Sequence, residues 1–107
     1  MLTASIGGMS LEYKSKIKDD LTDQLFQAIL SLKDIEECYR FFEDICTINE
    51  IKSLAQRLQV AIMLKDKKTY QEIVEETGAS TATISRVNRS LIYGADGYKI
   101  VFERICR

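Results

Sequence analysis

Not one of the 107 residues is proline. Proline removes a backbone N–H and breaks helix interiors, so a chain without it can run helix after helix, each ended only by caps and glycines. The five glycines, 29% charged residues and 8% aromatic residues match that reading better than a turn-rich sandwich. Hydrophobic residues make up 46% of the chain, enough for a core, and the length predicts a single all-α domain. The first eight residues, MLTASIGG, show no periodicity and precede a second methionine, Met9. They are expected to be a disordered N-terminal extension or an expression remnant, with the domain covering 9–107.

Spacing and capping predict six helices. Asp20 is expected to cap a helix reaching about Leu32, with a core stripe of Leu21, Leu25, Ala28, Ile29 and Leu32. A second runs from Asp34 to about Cys46, with Ile35, Cys38, Tyr39, Phe42 and Ile45 on one side. Thr47-Ile-Asn-Glu50 reads as a capping box, in which the threonine oxygen and the glutamate carboxylate each satisfy a free N–H at the helix start. The helix it opens should turn Ile51, Leu54, Ala55, Leu58, Ala61, Ile62 and Leu64 inward. Eighteen residues long, it would span roughly 27 Å. Thr69-Tyr-Gln-Glu72 repeats the capping box and opens a short helix closed at Gly78. Ser80 caps the next helix, from Thr81 to about Ile92. After Gly94-Ala-Asp-Gly97 a last helix uses Tyr98, Val101, Phe102 and Ile105.

Histidine is also absent, which removes the commonest general acid/base, the commonest zinc ligand and the hydrolase triads. No catalytic set of nucleophile, base and electrophile can be named, and an enzyme is not expected. Cys38, Cys46 and Cys106 form no CxxC pair, so no metal site is expected, and reduced thiols in a cytoplasm fit them. No apolar run has the length of a membrane helix, and no basic-then-apolar leader opens the chain.

The formal net charge of -1 hides a gradient. Residues 1–79 hold ten Lys+Arg against fourteen Asp+Glu, a balance of -4, whereas residues 80–107 hold five against two, or +3. The basic part begins where residues 69–92 have the layout of a helix-turn-helix: a short capped helix, a glycine turn and a second helix with an apolar inner stripe. With Ile84 set at zero and about 100° per residue, Val87, Asn88 and Leu91 fall within about 60° of it. Ala82, Ser85, Arg86 and Arg89 fall on the far side. Small residues, hydroxyls and arginines suit a major-groove helix, because they permit close approach and can bond base edges and phosphates. No acid lies between Glu76 and Asp96, so neither arginine has a carboxylate one helical turn away. Arg57 on the long helix likewise lacks one. A helical hairpin with a merely wet outer face is the competing explanation.

The segments FFEDICTINEIKSLAQRLQVAIML and TYQEIVEETGASTATISRVNRSL, with the six-helix count, resemble the Trp repressor superfamily and within it the YerC/YecD branch of TrpR-related proteins. The resemblance runs from about Asp20 to Ile105. It implies an intertwined all-helical homodimer that places two reading heads in successive major grooves of double-stranded DNA at a two-fold-related site. Independently, Leu25, Phe26, Ile29, Leu32, Phe41 and Phe42 give the first two helices apolar residues on more than one face, more than a small monomer easily buries.

By the same resemblance, Gln71, Thr81, Ala82, Thr83 and Ser85 match operator-contacting positions, to which the residue pattern adds Arg86 and Arg89. Val74 replaces a lysine of the tryptophan repressor, which implies a different operator. Arg57 and Arg86 match the two arginines that hold that repressor's corepressor, and Thr47 and Ser90 match polar positions of the same pocket. Val87 stands where the repressor has glycine, and a branched side chain there argues against tryptophan. A smaller amino acid, another carboxylate or no ligand at all stay open. The expected function is a sequence-specific DNA-binding regulator, with a helical protein-interaction module and an amino-acid-responsive regulator as alternatives.

Overall fold

The computed structural model describes residues 13–106; the extension expected at residues 1–8 lies outside them. Among the described residues there are six α-helices and no strand. They are α1 (Asp20–Leu30), α2 (Ile35–Ile45), α3 (Ile48–Lys65), α4 (Tyr70–Thr77), α5 (Thr81–Tyr93) and α6 (Gly97–Ile105). The chain divides into two compact units, one ending at Ile45 and the other beginning at Cys46.

In the first unit the cap of α1 is Asp19 rather than Asp20. Its extended backbone lets the carboxylate accept the Thr22 N–H at 2.7 Å, so the cap lies one residue earlier than expected. Asp34 does the same for α2, accepting the Glu37 N–H at 2.8 Å. Neither helix buries a single residue. Leu21, Leu30 and Ile35 are about three-quarters exposed and Tyr39 is two-thirds exposed, so the stripe expected to be core is not core within one chain. Phe41 and Phe42 meet edge to face at 5.5 Å.

The second unit holds the core. Thr47 and Glu50 form the expected capping box, and α3 runs its expected eighteen residues. Only the C-terminal half of α3 is buried, through Val60, Ala61 and Met63. Leu54 and Ala55, expected inside, are exposed. Val60 and Met63 were not foreseen, because helical periodicity assigns one inner face. Here the end of α3 has α4, α5 and α6 packed against it, so it is covered on several faces. Ile73 of α4, Ala79 of the following turn, Ile84 and Val87 of α5 and Phe102 of α6 complete the cluster. Full burial of Val60, Ile73, Ile84 and Val87 contributes about 1.5–3 kcal/mol for each side chain.

Candidate nucleic-acid interface

Local side-chain bonds define where α4 begins and ends and where α5 starts. The capping box Thr69/Glu72 opens α4: the Glu72 N–H donates to Thr69 Oγ1 at 3.1 Å and the Thr69 N–H to Glu72 Oε1 at 2.8 Å. Gly78 ends it with φ +72°, where a side chain would be strained, and its N–H reaches the Val74 carbonyl at 2.9 Å. The Thr77 hydroxyl donates to the Ile73 carbonyl at 2.7 Å and accepts the Ala79 N–H at 3.0 Å. From α3, Gln56 Nε2 donates to the Thr77 carbonyl at 3.2 Å. Ala79 is buried in the turn, and Ser80 Oγ accepts the Thr83 N–H at 3.1 Å to start α5.

The sequence pointed to neither Thr77 nor Gln56 as a brace. A threonine just before the closing glycine is the local signal for the first. The second partner lies 21 residues away, beyond any local pattern.

Burying Ile84 and Val87 turns the opposite side of α5 outward. Thr81, Ala82, Ser85, Arg86, Arg89 and Ser90 are exposed, and so is Gln71 on the first turn of α4. Thr83 is half-buried and bonded to Ser80 through backbone and hydroxyl, so it braces the helix start. Among the described residues neither Arg86 nor Arg89 pairs with a carboxylate. Tyr70, Ala82, Ser85, Arg86, Arg89 and Tyr93 help line an open hollow of about 450 Å3, so the first residue of α4 borders the outward face of α5.

Arg57 lies elsewhere, in an open hollow of about 440 Å3 with Cys46, Asn49, Glu50, Ser53 and Leu54. Thr47 is occupied by its own cap. Thus within the chain Arg57 and Arg86 line separate hollows, with Thr47 and Ser90 lining neither. Val87 is packed into the core at 2% exposure. The Glu50 and Glu72 carboxyls are held below the ordinary range, first by the backbone N–H and then by the side chain of their capping threonines. Among the described residues no cluster of carboxylates or cysteines is arranged to hold a metal ion, and no helix is long and apolar enough to cross a membrane.

The family model for Trp repressor protein matches residues 20–106, across both units of the chain. The chain belongs to the Trp repressor family. A relative in that family, the uncharacterized protein YerC of Bacillus subtilis (strain 168), is 63% identical over 90 residues, which cover 84% of this chain and 86% of YerC. A solved TrpR-like protein from Eubacterium eligens ATCC 27750 superposes with a TM-score of 0.83 at 66% identity, covering 87% of this chain and 96% of its own. A solved chain from Staphylococcus aureus described as a candidate Trp repressor gives 0.81 at 56% identity, covering 85% and 91%. The six-helix architecture of the described residues, without a strand among them, matches these Trp repressor-like structures.

Proposed function

We propose that this Trp repressor-family chain is a DNA-binding transcriptional regulator, a repressor that acts as a homodimer through a helix-turn-helix formed by α4, the Gly78–Ser80 turn and α5. The observation that carries the reading is the outward face of α5, where Ala82, Ser85, Arg86 and Arg89 are exposed on a helix anchored from behind by Ile84 and Val87. With no acid from Thr77 to Ala95, that face keeps its positive charge for an external anion. Thr81, Ala82, Ser85 and Gln71 are assigned to base edges and nearby backbone, and Arg86 and Arg89 to guanine or phosphate.

Dimerisation is supported by α1 and α2, which expose Leu21, Leu30, Ile35 and Tyr39 and bury nothing. A water-facing apolar surface of that kind is covered in a stable protein. Two protomers would set half-site centres about one helical turn, roughly 34 Å, apart. The proposal needs no metal and no catalytic group, and it includes no tryptophan corepressor, because the branched Val87 stands where the tryptophan repressor has glycine and is packed into the core.

Selection of bound fragments from a random duplex pool should return a two-fold-related motif, and the Arg86→Glu/Arg89→Glu variant should return none. Unchanged DNA affinity after that double charge reversal would overturn the helix-turn-helix assignment. Sedimentation at micromolar concentration should show twice the 12.2 kDa chain mass. A persistent single-chain species would count against the dimer and leave DNA binding to be judged separately.

A further inference from the structure

The α4 helix, YQEIVEET, carries three glutamates and no cation. Its first residue, Tyr70, borders the same hollow as Ala82, Ser85, Arg86 and Arg89, so α4 begins at the edge of the face assigned to DNA. A helix of that charge beside phosphates is repelled unless neighbouring cations compensate. The cations are two and three residues before Tyr70. The turn leading into α4 holds Lys67 and Lys68, both exposed, and neither forms an ion pair among the described residues. Lys65, by contrast, pairs with Asp66 at 3.2 Å and lies over the Phe102 ring. Two acids stand close by in sequence: Asp66, which is paired with Lys65, and Glu72, which feels the charge of Lys68 but is bonded within the capping box.

The turn is also fixed. Lys67 has φ +66°, and the N–H groups of Asp66, Lys67 and Lys68 are tied to the carbonyls of Ile62, Leu64 and Met63 at 3.0 Å. The backbone carrying the two ammonium groups is therefore held against the end of α3 instead of trailing free.

We infer that Lys67 and Lys68 form a second contact to the DNA backbone, binding phosphates that flank the bases read by α5 and offsetting the charge of α4. The inference rests on the DNA-binding reading above and adds residues outside the helix-turn-helix proper. The contact is to phosphate, so it raises affinity for every duplex without selecting among sequences.

The test compares salt dependence of binding to a mixed-sequence duplex for the full chain, Lys67→Asn/Lys68→Gln, Lys67→Arg/Lys68→Arg and a control, Lys33→Gln/Lys99→Gln. Asparagine is chosen at 67 because it tolerates positive φ, and helicity by circular dichroism verifies folding. The neutral pair should flatten the log affinity against log salt slope by about one for each lysine in each bound protomer. The arginine pair should keep the slope, and the control should leave it unchanged. An unchanged slope in the neutral pair, while Arg86→Glu/Arg89→Glu abolishes binding, would overturn this inference and spare the proposed function. A control that flattens the slope equally would overturn it as a general charge effect. If the unaltered chain bound no duplex at any salt, both would fall together.

Discussion

The Gln56 side chain donates from α3 to the carbonyl of Thr77 at 3.2 Å, tying the scaffold helix to the last residue of α4. That carbonyl sits at a helix end, where no intrahelical N–H is available to it. The bond holds the junction that sets how far α5 projects. Gln56→Ala should lower stability by about 1 kcal/mol in urea unfolding. Amide exchange should quicken at Gly78 and Ala79 more than at Val60, and equal change at all three would mean the bond braces nothing locally.

Two glycines near the end of α5 differ in what surrounds them. A Cβ at Gly94 would lie 2.3 Å from the Ser90 carbonyl oxygen, whereas one at Gly97 would meet nothing within 4 Å. Gly94→Ala therefore has to move backbone and should cost about 1–3 kcal/mol. Gly97→Ala should stay within about 0.5 kcal/mol of the parent. Thermal midpoints of the two variants give the comparison directly.

Acid should loosen α3 and α4 at their starts. Glu50 and Glu72 bind protons less readily when folded than when unfolded, because the capping threonines bond the charged carboxylates. A lowered folded value contributes stability that is fully present above the ordinary carboxylate value of 4.5 and is lost as pH falls through the folded one. Glu50→Gln/Glu72→Gln keeps side-chain acceptors for the threonine N–H groups but removes these titrations. Its urea midpoint should fall less than the parent's as the pH is taken below 4.5; parallel curves would show that other carboxylates govern the acid limb.

On the outward face of α5 the residues should separate by role. Arg89→Ala is expected to weaken binding to all duplexes alike and to lower the salt slope by about one per bound protomer. Thr81→Ala and Ser85→Ala should instead reorder the sequences recovered from a duplex pool. A selection that returned the parent motif from both hydroxyl variants would remove them from base recognition.

Much of the second unit was legible locally. Thr47/Glu50, Thr69/Glu72, Gly78 and Ser80 each act within a few residues, and the helix starts and the one helix end they mark are where the structure has them. The orientation of α5 was legible too, since Ile84 and Val87 fall on one side of a regular helix and the arginines on the other. The α1 stripe misled because periodicity reports which face is apolar and says nothing of whether a chain of this size covers it. Tyr70 beside the arginines was invisible for a related reason: it comes from another helix, and only packing brings them together.

Sequence alone determined that the described residues are helical, where the helices of the second unit open on capping boxes and Ser80, and which side of α5 faces outward, because capping and helical periodicity are short-range chemistry. Tertiary structure alone decided that the core lies around the end of α3 and that Gln56 braces Thr77. It also left α1 and α2 with nothing buried, and it placed Arg57 and Arg86 at separate hollows. Those depend on which helix surfaces meet, and residues far apart in sequence acquire that relationship only when the chain folds.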